Sequence, residues 1–189
     1  FVEPRLDGFA KLSGRSEFAD DIHLPGMLRG RIVRAQIPHG RIVNIDTSAA
    51  ARVPGVKSIV TADDKPNPII GMYQPLLNHT VRFIGQEIAA VAATDDDAAF
   101  EAAALIRVEY EPLPGVLDLE KALLPDAPQL HAKAPGNLAW EANEVFDDPD
   151  AVFADSELIV DGAYSSNPSH NCYAEFHVCV ADFSRADKL

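Results

Sequence analysis

The stretch VRFIGQEIAAVAATDDDAAFEAAALIRVEYEPLP, residues 81–114, constrains the fold more than any other part of the chain. Residues 87–94 are nearly all small and apolar, which is typical of a strand covered on both faces. Asp95 is a favourable helix N-cap, and the two aspartates after it place negative charge where first-turn amides favour it. The helical spacing then predicts a face of small side chains that lets the helix approach a sheet closely. The residues of this face are Ala99, Ala102, Ala103 and Ile106.

A second strand is predicted directly after this helix. RVEYE, residues 107–111, has the alternation of a strand and is followed by two prolines that end it. The whole stretch is therefore predicted to be a β-α-β packing unit. Its residue types are explained by packing and capping, without any catalytic role.

Strand and turn signals also precede this unit. MLRGRIVRAQI, residues 27–37, and RIVNI, residues 41–45, predict two strands joined as a hairpin through the turn residues 38–40. A short helix is predicted at SAAAR, residues 48–52, and a further strand at residues 56–61.

Regular patterns then stop in DDKPNPIIGMYQPLLNHT, residues 63–80. Three prolines and one glycine without a steady period predict a long loop, of the kind that covers a site or an interface. The apolar centre of this loop is the candidate contact surface. Its residues are Ile69, Ile70, Met72 and Tyr73.

The last third of the chain is predicted to be a connector followed by a new structural unit. Residues 112–156 are rich in Pro, Ala and Asp, with one short helix predicted at residues 118–124. Strand character returns at residues 157–164 and again at 172–183.

Charge and composition exclude several classes of function. The net charge is −13, and residues 134–189 carry only two Lys or Arg against eleven Asp or Glu. Such a surface is repelled by phosphate, so nucleic-acid and membrane partners are not expected. No apolar run approaches the roughly 20 residues that span a bilayer. Two cysteines, and no secretory-signal pattern at the start of the chain, predict a cytoplasmic location.

Histidine and cysteine offer one tempting constellation, SHNCYAEFHVC. It contains two His-x-Cys pairs, His170 with Cys172 and His177 with Cys179. On a single strand these pairs face opposite ways, which predicts a plain strand with free thiols, whereas a bend between them would allow a zinc site. The other histidines, His39 among them, are predicted to be solvated or capping residues.

Three blocks, in this order, resemble a known family. They are RLDGFAKLSGRSEFADDIHLPGML, RGRIVRAQIPHGRIVNIDTSAAARVPGV and VRFIGQEIAAVAATDDDAAFEAAALIRVEYEPLPGV. Together they resemble the opening of the molybdenum-binding large subunit of the xanthine dehydrogenase and aldehyde oxidase family. Within it, they are most similar to bacterial 4-hydroxybenzoyl-CoA reductase-like members.

The resemblance implies an α+β fold with a defined domain order. Residues 1–116 are expected to form an α/β hammerhead domain, and residues 117–146 an extended connector. Residues 147–189, with FDDPDAVFADSELIVDGAY and CYAEFHVCVADF, resemble the beginning of the first molybdopterin-binding domain.

The resemblance also implies a redox enzyme whose reacting groups lie elsewhere. In the complete enzyme, molybdenum on molybdopterin cytosine dinucleotide, a 2Fe-2S centre and FAD are expected. The family's pterin-binding loop and catalytic glutamate match chain beyond Leu189, so no catalytic, cofactor-binding or metal residue is assigned here.

The implied function is a scaffold portion of a molybdenum hydroxylase. It packs against the remaining molybdenum domains and helps shape the substrate channel, with the loop residues Ile69 to Tyr73 at that contact. Iron-sulfur and FAD subunits or domains are the expected partners. The alternative is a free-standing acidic protein-binding module with the same fold and no redox chemistry.

Overall fold

Contacts within the chain divide it into two units. The structure, a computed structural model, describes residues 5–70, 74–173 and 177–183. One unit spans Gly26–Glu144, and the other comprises Phe1–Pro25 and Val145–Leu189. The described strands, all in the first unit, are β1 (Arg29–Arg34), β2 (Gly40–Asp46), β3 (Val56–Thr61), β4 (Ile69–Ile70), β5 (Gln74–Pro75), β6 (Thr80–Val81), β7 (Glu87–Ala93) and β8 (Arg107–Pro112). The described α-helices are α1 (Gly8–Leu12), α2 (Asp96–Leu105), α3 (Leu119–Ala122) and α4 (Pro149–Ala154), and short 3-10 helices lie at Ala19–Asp21, Ala50–Arg52 and Pro135–Asn137.

The small apolar run forms the middle strand of a sheet. β7 lies between β1 and β3 in a three-stranded antiparallel arrangement, sheet A. Ile88, Ala89 and Ala93 are 0% exposed and Val91 is 2% exposed. The predicted strand is confirmed. Cover on both faces is not, because Ala90, on the face opposite Val91, is only half-buried.

Helix α2 packs on sheet A as its sequence predicts. It begins at Asp95, whose Oδ1 accepts a hydrogen bond from the backbone N of Ala98 at 2.9 Å. This bond, together with one from the Thr94 hydroxyl, lowers the pKa of the Asp95 carboxyl. Buried alanines then face β1 and β7, where their size allows close approach. The buried alanines of the helix are Ala98, Ala99 and Ala102.

The predicted hairpin of β1 and β2 is wrong, because these strands lie in different sheets. β2 is the middle strand of sheet B, whose order is β6-β2-β8. After β1 the chain continues to bond toward β7: Ala35 donates to the carbonyl of Gln86, and Gly85 donates to that of Ala35, both at 2.8 Å. Gly40 then lets β2 approach β8, since a Cβ there would lie 2.8 Å from the carbonyl oxygen of Glu111.

The β-α-β stretch needs the same correction. Its three elements occur in the predicted order, but β7 belongs to sheet A and β8 to sheet B. Helix α2 therefore links two sheets and does not connect two strands of one. Three half-buried side chains, Val33, Ile45 and Val108, pack against the core clusters of both sheets and hold them together.

The predicted connector is stabilised by polar contacts. The predicted short helix is present as α3, and Asp118 caps it by accepting hydrogen bonds from Glu120 N and Lys121 N. Asn137 donates to the carbonyls of Ala122 and Pro128 at 3.0 and 2.9 Å. These bonds fold the segment back on itself, so it is not extended throughout.

The other unit contains short helices and irregular chain. Asp148 caps α4, with its Oδ1 accepting from Ala151 N at 3.1 Å. The strand predicted at residues 157–164 is wrong, and among residues 172–173 and 177–183 no strand occurs either; residues 174–176 lie outside the described ranges. A strand needs a neighbour for its hydrogen bonds, and the described part of this unit supplies none. The domain bounds at residues 116 and 146 stay predictions.

Candidate functional site

The predicted contact loop contains a short two-stranded ladder. Ile69 pairs with Pro75 and Ile70 with Gln74, joining β4 and β5. Ile69 is 69% exposed, so an apolar side chain projects from the loop. Met72 and Tyr73 lie outside the described residues. Sequence reasoning missed the ladder because two-residue strands leave no periodicity to detect.

One side chain closes the base of this loop. The amide nitrogen of Asn67 donates to the carbonyls of Ala62 and Leu77, at 3.2 and 2.9 Å. The amide oxygen of Asn67 accepts from Leu77 N at 3.1 Å. Ala62 and Leu77 are each 7% exposed, so the loop is anchored at buried positions while Ile69 remains outside.

A cleft of ≈ 340 Å³ opens at the base of the loop, between β2 and β3. Its lining combines branched apolar side chains with hydroxyl, amide, carboxylate and imidazole groups. The lining residues are Ile42, Val43, Asn44, Ile45, Thr47, Ile59, Thr61, Asp63, Asp64 and His79.

The acidic end of the cleft is ordered by hydrogen bonds. His79 Nε2 lies 3.0 Å from Asp63 Oδ1. Asp64 Oδ2 accepts from the backbone N and the hydroxyl of Thr61, at 2.7 and 3.1 Å. The histidine is thus directed at a carboxylate and not at a hydroxyl, and neither Ser nor Cys is among the described residues that line the cleft. An activated nucleophile needs a base within hydrogen-bond reach, so the arrangement favours binding over covalent catalysis.

His39 has a structural position that the sequence reasoning missed. Its side chain is buried, with 7% exposure, and its Nδ1 lies 2.5 Å from the carbonyl oxygen of Pro114. Leu113 N donates in turn to the carbonyl of His39 at 3.1 Å. His39 therefore joins the turn before β2 to the end of β8, and the expectation of a solvated or capping residue is wrong.

The His and Cys constellation is assembled around one tyrosine. The ring of Tyr173 lies 5.2 Å from the ring of His170 and 5.1 Å from that of His177, and its hydroxyl contacts His177 Nε2. Cys172 and Cys179 are free and exposed. Within residues 5–70, 74–173 and 177–183, no group of three or more His, Cys, Asp or Glu is placed to hold a metal ion.

None of the helices in the described ranges is both long and apolar enough to cross a bilayer.

Comparison with known proteins gives one family and a consistent set of relatives. Residues 13–114 match the model of the family described as aldehyde oxidase and xanthine dehydrogenase, a/b hammerhead domain. The chain is 33% identical to the carbon monoxide dehydrogenase large chain of Afipia carboxidovorans, over 96% of this chain and 25% of that protein. It is 31% identical to the xanthine dehydrogenase molybdenum-binding subunit of Escherichia coli, over 90% of this chain and 24% of that protein.

A solved structure gives the same result for the fold. The chain matches a crystal structure of the Cu,Mo-CO dehydrogenase with a TM-score of 0.70 and 37% identity. The match covers 82% of this chain and 22% of that one. The chain thus spans about a quarter of the length of these relatives.

Proposed function

The chain belongs to the aldehyde oxidase and xanthine dehydrogenase a/b hammerhead family, and on that premise we propose that it is a scaffold portion of a molybdenum hydroxylase large subunit. The observation that carries the proposal is the extent of the likeness. It runs over 96% of this chain, well past the hammerhead match at residues 13–114, and yet over only 25% of the carbon monoxide dehydrogenase large chain. The chain is therefore similar to one part of a longer oxidoreductase subunit.

Apolar surface on the Gly26–Glu144 unit supports a packing role. Leu117 and Leu119 are each 88% exposed, and Trp140 is 76% exposed. Two further apolar side chains, Ile32 and Val60, are 50% and 39% exposed on either side of Ala90 in sheet A. The pair beside Ala90 gives sheet A an exposed apolar face on which another part of a protein can pack.

The Val145–Leu189 segment supports the same role more strongly. Tyr164 is 96% exposed, Val160 is 80% exposed, and Leu158 and Phe146 are each 79% exposed. Burying one such side chain stabilises a folded protein by roughly 1.5–3 kcal/mol. The described part of this segment leaves these side chains exposed and does not gain that free energy. We infer that the remaining molybdenum domains supply the surface on which it packs.

We place the cofactors of the complete enzyme in parts of the protein outside these 189 residues. Among the described residues no group of three or more His, Cys, Asp or Glu is placed to hold a metal ion, and we assign no reaction step to them. Molybdopterin cytosine dinucleotide with molybdenum, 2Fe-2S and FAD are part of the proposal for the whole protein. The proposal for the whole protein also includes iron-sulfur and FAD partners, a cytoplasmic location and membership of the 4-hydroxybenzoyl-CoA reductase-like subdivision.

A contribution to the substrate channel is proposed for the anchored loop. Ile69 is exposed on a two-stranded ladder, and Asn67 fixes the base of that ladder by hydrogen bonds. The loop therefore holds an apolar side chain in a defined position, where it can contact another domain. Ile70, Met72 and Tyr73 complete the proposed contact by their position in the sequence.

The first test is the subunit mass and molybdenum content of the native protein, captured from its source with an antibody against this segment. We expect a polypeptide several-fold longer than 189 residues that carries molybdenum. A polypeptide of about 20.4 kDa, without molybdenum or a larger partner, would instead identify a free-standing acidic binding module.

A further inference from the structure

The cleft between β2 and β3 is bordered by open strand edges. Among the described residues, β3 pairs with β7 alone and is an edge strand of sheet A. β2 pairs with β6 only at Gly40 and Arg41, so its later residues Asn44 to Asp46 have a strand partner in the described part only in β8. An edge of this kind presents backbone N–H and C=O groups that an added strand can pair with. At Thr61 both groups are already bonded to Asp64, at 2.7 and 3.2 Å, so the open part of β3 precedes Thr61.

A β-bulge keeps the cleft irregular on the β2 side. The register with β8 shifts between Ile42 and Asn44, so Val43 has no partner in the ladder and is 63% exposed. Bulges interrupt pairing and redirect side chains, often beside functional sites. The apolar Val43 and Ile59 therefore lie beside open backbone in the same cleft.

The charge of the cleft selects the kind of partner. Asp63, whose side chain is 79% exposed, and Asp64 lie at one end, and the described part of the chain contributes no Lys or Arg to the lining. One oxygen of each carboxylate is engaged, Asp63 Oδ1 by His79 and Asp64 Oδ2 by Thr61. The other oxygen of each accepts no hydrogen bond from the described residues, which leaves it available to a cation.

We propose that this cleft binds a short extended segment of a separate, basic polypeptide. Its backbone pairs with the part of β3 that precedes Thr61, and a Lys or Arg side chain contacts Asp63 and Asp64. The volume of ≈ 340 Å³ lies at the low end of the range of roughly 300–1,000 Å³ for ligand pockets, which suits a few residues. The chain's net charge of −13 favours encounter with basic partners. This binding goes beyond the proposed scaffold role and does not depend on it.

The test measures binding of a labelled peptide to the purified native protein by fluorescence anisotropy. The probe is the hexapeptide Lys-Val-Lys-Val-Lys-Val, matched in length to the six residues of β3. We expect it to bind, to bind less at high salt, and to lose affinity when its backbone is N-methylated. Asp63→Asn should weaken it by about two- to fivefold, the range for an exposed ion pair.

Asp126→Asn is the matched control, because it makes the same charge change at an exposed position outside the cleft. We expect it to leave the affinity unchanged. Equal losses for the two variants would show general attraction to an acidic protein and would overturn the proposal.

Three other results would also overturn it. The N-methylated peptide binding as tightly would exclude strand pairing, and lysine methyl ester competing as well as the peptide would indicate a site for small cations. No binding to the native protein would mean that the cleft is closed, for instance by its own chain. Each result is read from binding, so it stays distinct from the subunit mass and molybdenum content that test the scaffold role.

Discussion

Two regions of this chain have similar strand-like sequences and opposite outcomes. Residues 87–94 form the centre of sheet A, where Ile88 is 0% exposed, whereas residues 157–164 form no strand and Tyr164 is 96% exposed. The first region has β1 and β3 as neighbours and α2 on one face. The second has no strand neighbour among the described residues. Strand propensity is therefore realised only where a ladder and a covering layer are both present.

The largest expected effect comes from removing core volume in the first region. Ile88→Ala should lower the free energy of unfolding by about 2–5 kcal/mol, because it leaves a cavity at a position with 0% exposure. The matched change Ile159→Ala, at a side chain 52% exposed, should stay within about 0.5 kcal/mol when this 189-residue segment is unfolded by itself, without the molybdenum domains proposed to cover residues 145–189. Urea denaturation of both variants checks the contrast, and equal losses would show that residues 157–164 are packed after all.

A smaller effect is expected from overfilling the contact between α2 and sheet A. Ala102→Leu should destabilise by about 1–3 kcal/mol, because Ala102 is 0% exposed and the sheet leaves no room for a longer side chain. Ala104→Leu, at an exposed position of the same helix, should have little effect on thermal or urea unfolding. If the two variants lost equal amounts of stability, α2 would not pack closely on β1 and β7.

Loss of the α2 cap should have a smaller, pH-dependent effect. The pKa of Asp95 is lowered in the folded protein, chiefly by the hydrogen bond from Ala98 N, below its ordinary value of 3.8. Its stabilisation is therefore complete above pH 3.8 and is lost as the pH falls through the folded pKa. Asp95→Ala should be less stable than the parent near pH 7, and the difference should close in acid. The control is Asp126→Ala, at an exposed position outside the described helices, which should have little effect on the free energy of unfolding near pH 7.

The smallest effect on stability is expected in the anchored loop. Replacing Ile69, Ile70, Met72 and Tyr73 with serine should change the free energy of unfolding by less than about 0.5 kcal/mol per exposed position, because Ile69 is already 69% exposed. Assembly or activity of the native enzyme should fall much further, as measured by subunit composition and turnover. A comparable loss of stability in this segment would make the loop part of the core and remove its proposed contact role.

The candidate site was predicted less well than the fold. The loop at residues 63–80 and its exposed Ile69 were anticipated from prolines and an absent period. The cleft was not predicted, because its walls come from β2 and β3, which belong to different sheets. Its acidic end also depends on His79 contacting Asp63, which lies 16 residues earlier in the sequence. Pairings of this kind leave no local signal in the sequence.

Local chemistry in the sequence determined where many elements begin and which faces they bury. Asp95, Asp118 and Asp148 cap the helices that follow them, and the small residues of β7 and α2 are buried as their spacing indicates. Only the tertiary structure decided which strands meet: β1 joins β7 and not β2, and α2 links two sheets. The physical reason is the distance along the sequence between the groups that interact. Caps and periodic faces depend on residues within a few positions, whereas strand pairing depends on backbone groups brought together from distant parts of the chain.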